Sequence, residues 1–440
     1  MSKTIDTKTF FKERFNELAA QPGANGLQAI RQEAFQDFDK WGIPTTRHEE
    51  WKYTRISSFF NQEYDLPLTE PLTTISAADL DAVRLPGFEE ANELVFVNGI
   101  YAPELSTIRS AALQVAALEE AAEGEYKNII AQHLGHSSQY LKDGLNALNT
   151  AFLHGGLFIG VKRGKAIEEP VYLYNIADAR TAHILAQPRV FVHVAEAAQI
   201  ELVESVITLG SSESFTNGVV EMVVEQDAWV GYYKIQADKS HAAQVSTTHI
   251  RQVGKCHVHT VTISLDGGTV RNNLNMVMEA PNSEAHLYGL YFGNGDTHID
   301  NHTVVDNVAP NCYSNELYKG ILDGESTGVF NGKIFVRQPA QKTNAYQSNK
   351  NILLSDSASV NTKPQLEIFA DDVKCSHGCT IGRLDEEALF YLRSRGISQQ
   401  AAKSLLLHAF AIDVLEHIKP EPIRAFVDDL ISQRLAIEIV

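Results

Sequence analysis

Val261-Thr262-Ile263-Ser264-Leu265-Asp266-Gly267-Gly268 carries an apolar residue at every second position and then breaks at a turn. Successive side chains of a β-strand point to opposite faces, so a period of two with one apolar face marks a strand. The pattern recurs upstream. Val190, Val192 and Val194 alternate with Phe191 and His193, and Val220, Met222 and Val224 with Glu221 and Val223. Gly293-Asn294-Gly295-Asp296 punctuates the runs again, because Gly, Asn and Asp tolerate the positive φ of tight turns. From residue 157 to residue 369 strand follows strand with no helical period between them.

A tract this long without helices has to close its own hydrogen-bonded edges, which leaves a sandwich, a propeller or a solenoid. No fixed sequence period is visible, which argues against a propeller of near-identical blades. A parallel β-helix stacks short strands over a continuous interior and tolerates irregular turns; at a coil period of about 20–50 residues the tract would hold roughly nine coils. Pattern alone leaves the sandwich open.

The flanks differ in period. The 440 residues exceed one ordinary hydrophobic core and divide into an N-terminal helical and small α/β region (1–150), the β core (151–382) and a C-terminal helical region (383–440). Residues 7–40 form two amphipathic helices, with Phe10, Phe11, Phe15 and Leu18 on one stripe and Leu27, Ile30, Ala34, Phe35 and Phe38 on the other, broken at Gln21-Pro22-Gly23. Residues 42–54 read as a loop in which Trp51 and Tyr53 pin a helix end. A strand over 93–97, a turn at Asn98-Gly99 and an Ala-rich helix over 110–122 follow. Beyond Gly382, Asp385 caps a helix that Gly396 stops, and Ser398 caps a second bearing Leu405, Leu406, Phe410, Val414, Leu415 and Ile418. Pro420 and Pro422 separate it from a last helix.

Charge and composition exclude several function classes. With 37 basic against 55 acidic residues the net charge is −18, a field that repels nucleic-acid phosphates and anionic membrane surfaces. No nucleic-acid or membrane partner is expected. There is no run of about 18 apolar residues and no secretory leader in the amino-terminal residues, so the expected location is cytoplasmic. Cys256, Cys312, Cys375 and Cys379 are too few and too scattered for a disulfide framework, and reduced thiols follow.

The chemistry concentrates at one place. Cys375, His377 and Cys379 alternate, so on a strand all three project from one face and present two soft sulfurs with an imidazole. A closed zinc site needs four ligands, and no fourth Cys or His lies nearby in sequence. No metal site is therefore expected in the isolated chain. The set is incomplete unless a second chain supplies the rest. Lys374 and Asp371-Asp372 would pull the thiol pKa in opposite directions. His257 with His259, and His298 with His302, read as solvated or hydrogen-bonded strand faces, and Cys312 as a small core residue. Asp296, Asp300 and Asp306 imitate the acidic clusters of polysaccharide-cleaving β-helices, but they read first as polar turn residues. No Walker-type glycine loop or serine elbow is present, and nothing argues for catalysis by the chain alone.

The segment Ala370-Asp371-Asp372-Val373-Lys374-Cys375-Ser376-His377-Gly378-Cys379-Thr380-Ile381-Gly382, with the following Leu392-Arg393-Ser394-Arg395-Gly396, closely resembles the SufB/SufD family of iron–sulfur cluster assembly proteins, on its SufD branch. Glu50-Trp51-Lys52-Tyr53-Thr54, Leu148-Asn149-Thr150-Ala151 and Leu317-Tyr318-Lys319-Gly320-Ile321-Leu322 are similar too. The resemblance implies a mainly β fold, a right-handed parallel β-helix core between helical ends. It implies a non-catalytic scaffold of a SufBCD complex in the SUF system, paired with SufB and bound to the SufC ATPase through the C-terminal helices. The isolated chain could self-pair as a homodimer. It further implies a transient iron or Fe–S cluster at the SufB interface with no cofactor tightly bound to the isolated chain, His377 as the first candidate ligand and Cys375 beside it. Cys379 stands where other members have alanine and is not given the role of Cys375. A purely structural partner with Cys375 and His377 inert, and a carbohydrate-active enzyme using the aspartates, are the alternatives.

Overall fold

The alternating runs become strands that fill two ten-stranded sheets, stacked on either side of a flattened coil. The computed structural model describes residues 7–20, 27–68 and 75–435; the Gln21-Pro22-Gly23 break lies outside these. In chain order the N-terminal region holds α1 (Thr7–Ala19), α2 (Gln28–Trp41), α3 (Ala77–Asp81), β1 (Asn92–Val97), β2 (Ile100–Tyr101), β3 (Leu113–Ala117), α4 (Leu118–Glu123), α5 (Lys127–His133) and α6 (Gly144–Ala151). The coils follow as β4 (Leu157–Val161), β5 (Val171–Ala179), β6 (Ile184–Ala186), β7 (Arg189–Val194), β8 (Gln199–Gly210), β9 (Ser214–Val224), β10 (Trp229–Ala237), β11 (Ala242–Gln252), β12 (His257–Asp266), β13 (Thr269–Met278), β14 (Glu284–Gly293), β15 (His298–Asn307), β16 (Tyr313–Leu322), β17 (Thr327–Val336), β18 (Asn344–Leu353), β19 (Ser359–Ile368) and β20 (Lys374–Gly382). Helices α7 (Glu386–Ser394), α8 (Gln399–Leu415) and α9 (Glu421–Arg434) close the described chain.

The first sheet runs β2-β1-β5-β8-β10-β12-β14-β16-β18-β20 and the second β19-β17-β15-β13-β11-β9-β7-β4-β3, with β6 beside β9. From β8 onward each strand pairs in parallel with the strand two further on in sequence, the signature of a solenoid rather than of a sandwich. Partners lie 26 residues apart at Ala243 and Thr269, 29 at Thr269 and His298, and 32 at Thr327 and Ser359. That drift hides the repeat from a fixed-period search. Leaving aside the short β6, which pairs beside β7 on β9, each sheet has eight parallel strands within 157–382, so the described core makes eight coils, one fewer than expected, and β1 extends the first sheet into the N-terminal region.

Alternation reports a face, not which side that face is on. Val190, Val192, Val194, Val220, Met222 and Val224 do line the lumen, packed with Ile200, Val230 and Val258. Val261, Ile263 and Leu265 face outward instead, under Leu407, Ala411 and Val414 of α8 and Ile423, Val427 and Ile431 of α9. The lumen on their other side is polar. Ser264 donates to Gln236 at 2.6 Å, Gln236 to Asn272 at 3.0 Å, and Asn272 to Asn301 at 3.1 Å, so buried polar groups satisfy one another across the coils.

The two ends of the solenoid are finished differently. At the start, β2 pairs antiparallel with β1 and β3 antiparallel with β4, and both sheets end on a strand that turns back. At the far end, β19 and β20 are the last strands of their sheets and nothing among the described residues pairs with their outer edges. Pairing with β4 also explains a correction. Residues 113–117 are strand, and the expected Ala-rich helix is confined to α4, because an available sheet edge outweighs the helix preference of alanine.

The matched N-terminal and mid-chain motifs act as anchors. Trp51 is buried and stacks on the Arg271 guanidinium at 3.8 Å, so it pins the 42–54 segment to the outer face of the second sheet, while Tyr53 stays exposed. Asn149 donates to Pro188 and Asn217 carbonyls and accepts from Arg189, tying α6 to β7 and β9. Lys319 donates to the Phe410 carbonyl at 2.8 Å and pairs with Asp413, holding α8 on β16.

Candidate functional site

The register of the last coil decides what the Cys-Ser-His-Gly-Cys segment can do. In β20, Cys375 pairs with Ala345, His377 with Gln347 and Cys379 with Asn349. Ala345, Gln347 and Asn349 are buried lumen residues, so the three candidate ligands continue the lumen wall onto the final strand. Because no further coil among the described residues covers that strand, His377 and Cys379 are exposed and Cys375 is half-buried against the lumen core.

Burial pushes the Cys375 thiol above the ordinary value, opposed by a backbone hydrogen bond at Ala345. A metal that binds here has to displace the thiol proton. Among the described residues no three His, Cys, Asp or Glu side chains are arranged to hold a metal ion.

Behind the segment the lumen is polar, a feature the local sequence pattern does not announce. Gln347, under His377, donates to the Glu316 carboxylate at 2.7 Å. Asn349, under Cys379, donates to the Tyr291 hydroxyl at 3.1 Å. Only the offsets of about thirty residues between paired positions could have linked Glu316, Gln347 and His377, and those offsets need the register. Apolar side chains rim the same open end: Ile368 is 41% exposed, Phe369 56% and Ile381 50%.

The other candidates are accounted for within the chain. Cys256 and Cys312 are fully buried in the lumen among other small residues, and burial pushes the Cys256 thiol up to about 12. His257 meets Glu284 at 2.6 Å, and His259 sits 2.6 Å from the His417 carbonyl, its pKa pulled down to about 4 by burial. His298 meets the Thr54 hydroxyl at 2.8 Å and His302 meets Asp300 at 3.0 Å. Asp300 and Asp306 correct the turn reading, because both are buried residues of β15, ion-paired at 2.8 Å with Arg271 and Arg337. Only Asp296 lies in an exposed turn.

A second exposed surface belongs to the C-terminal helices. Asp385 accepts from the backbone of Glu387 and Ala388, Ser398 from Ala401, and Gly396 stops α7 at φ 90°, as the sequence predicts. Helix α7 buries no residue; Phe390 is 74% and Tyr391 56% exposed, and Leu405 and Ile412 of α8 are exposed as well. Among the described residues, no helix is long and apolar enough to cross a membrane.

Comparison with known proteins agrees with this architecture. Residues 176–410 match the SUF system FeS cluster assembly, SufBD core domain, and residues 1–173 match the SufBD protein N-terminal region. The chain is 30% identical over 410 residues to the iron–sulfur cluster assembly protein SufD of Escherichia coli, covering 92% of each chain. It is 30% identical over 390 residues to a SufBD family iron–sulfur cluster assembly protein of Synechocystis, covering 86% of this chain and 84% of the relative. With the chloroplastic protein ABCI7 of Arabidopsis thaliana it shares 33% identity over 277 residues, 61% of this chain and 58% of that one.

Proposed function

Because this chain belongs to the SufBD family of iron–sulfur cluster assembly proteins, we propose that it is the SufD-like scaffold subunit of a SUF complex, pairing through its open last coil with a SufB-type chain. The observation that carries the reading is the uncapped end, where two bare strand edges, an apolar rim and a partial Cys/His ligand set coincide. A partner strand laid on β19 or β20 would satisfy their hydrogen bonds, cover Ile368, Phe369 and Ile381, and bring further donors to His377 and Cys375. Thiolate and imidazole suit iron and sulfide, and a site shared between chains forms or opens as the chains move.

In this reading iron or a nascent cluster is cargo held in transit, the chain performs no catalysis of its own, and a cytoplasmic setting follows. The exposed Phe390, Tyr391, Leu405 and Ile412 surface would receive a SufC-type ATPase, whose movements reach the solenoid through α8 and α9. Anaerobic cluster reconstitution on the complex with SufB and SufC tests the site. His377→Ala is expected to leave the complex assembled and to lower cluster yield severalfold, with Cys375→Ala milder; unchanged yield in the double variant would leave the chain a purely structural partner.

A further inference from the structure

Histidines from three elements meet where the turn between α8 and α9 comes down on the outer face of the first sheet. His259 lies on β12, His286 on β14 in register with it, and His417 in the turn itself. All three are half-buried, and their rings run in series, His259 centred 6.3 Å from His286 and 5.8 Å from His417. The same rings fasten the turn. His259 donates through Nε2 to the His417 carbonyl at 2.6 Å, the His417 ring stacks on Tyr288 with centroids 3.5 Å apart, and the Lys419 ammonium sits 3.8 Å from the centre of the Trp229 ring.

Little negative charge is free to balance a proton here. On the sheet, Glu284 of β14 is held by His257 at 2.6 Å and Glu201 of β8 faces Lys419. On the helix side, Asp413 takes Lys319 and Glu416 is exposed. Tyr233, Tyr288 and Tyr313 complete the surroundings with phenol rings. Burial pulls the His259 imidazole down to about 4 against the pull of the His417 carbonyl, and it lowers His286 and His417 as well. Neighbouring imidazoles push all three the same way, opposed by Glu284 at His286 and by Glu416 and Asp413 at His417.

We propose that this joint is an acid-operated release: protonation of His259, His286 and His417 sets like charges side by side beneath the turn, and the end of α8 and the start of α9 lift from the solenoid. A group whose pKa is lowered in the docked state stabilises docking fully above its ordinary value of 6.5 and loses that contribution as pH falls from there toward 4. At pH 5.5 a free imidazole is charged about ten to one while docked His259 is still neutral, so docking weakens about tenfold through His259 alone. Leu407, Val427 and Ile431 keep their apolar contacts, so the joint opens while the helices stay folded. The release belongs to the chain itself and holds whatever partner Leu405 and Ile412 of α8 meet.

Hydrogen exchange of the full chain at pH 7.5 and 5.5 tests it, each amide read as a protection factor so that the intrinsic effect of pH on exchange is removed. Residues 410–427 are expected to lose protection tenfold or more on acidification while β8 to β18 keep theirs. His259→Gln retains an Nε2 donor for the His417 carbonyl and cannot take a charge. Its protection should match the parent at pH 7.5, and its loss at pH 5.5 should be about tenfold smaller. Equal protection of the parent at both pH values, a loss shared by β8 to β18, or the parent's full loss in His259→Gln overturns the inference. Should His259→Gln fail to fold, His417→Phe, which preserves the stack on Tyr288 and leaves the backbone carbonyl in place, decides the matter: a loss smaller than the parent's upholds the release and an undiminished one removes it.

Discussion

Glu316 sits on the lumen wall two strands behind His377, fully buried, with one carboxylate oxygen accepting from Gln347 at 2.7 Å and the Thr303 hydroxyl beside the carboxyl. Burial pushes its pKa up to about 7, with hydrogen bonds from Thr303 and Gln347 pulling the other way. A carboxyl raised in the folded state keeps its proton where the unfolded chain has released it, so stability falls as pH rises from about 4.5 to 7 and is level above. Glu316→Gln preserves the acceptor for Gln347 and removes that loss, on the order of 3 kcal/mol at most. Its melting temperature should match the parent near pH 4.5 and exceed it by several degrees at pH 8; a difference independent of pH would detach Glu316 from the pH response. At this scale the sequence is half legible. The alternation of Cys375, His377 and Cys379 announces a shared face, but the polar wall beneath them is assembled from residues about thirty positions apart, and local pattern cannot join them.

At the scale of elements, helix caps and stops are legible because they are written within four residues: Asp385, Gly396 and Ser398 all act as their positions require. Strand faces are not. Val261, Ile263 and Leu265 look like lumen residues, yet they face helices that lie more than 130 residues later in the chain. Asp300 and Asp306 read as turn residues because aspartate is depleted from strands; what permits them is arginine on a neighbouring coil, which the local sequence does not show. Lys319 is the clamp between solenoid and helices, only 3% exposed, with its Nζ on the Phe410 carbonyl and Asp413. Lys319→Met keeps the apolar stem and leaves the half-exposed Asp413 in solvent, so the cost is that of the charged bonds, about 1.5–3 kcal/mol. Hydrogen exchange should quicken in α8 while β8 to β18 stay protected, and affinity for the SufC-type ATPase should fall. Equal protection of α8 in variant and parent would show that apolar packing alone holds the helix.

The whole molecule is a stack with one finished end and one unfinished end. A coil is held by its neighbours on both sides, so a terminal coil without a cap has lost half its support and exposes a row of backbone donors and acceptors. Antiparallel strands and the N-terminal helices meet that need at β1 and β4, whereas among the described residues nothing meets it at β19 and β20. If the last coil is the pairing surface proposed above, it is more stable joined than alone, and in the absence of a SufB-type chain the available joiner is a second copy related by a two-fold axis. Light scattering should then find two chains per particle at micromolar concentration. Ile368→Lys with Ile381→Lys puts two charges at the mouth, where both side chains are already about half exposed, so the coil itself loses little. The joined surface, however, would have to bury them unpaired, at several kcal/mol each. The double variant is expected to run as one chain and to lose SufB in a pull-down while retaining the SufC-type ATPase. A double variant that still recovers SufB in full would move the pairing surface away from the last coil, and Cys375 and His377 would lose their claim to a shared site with it.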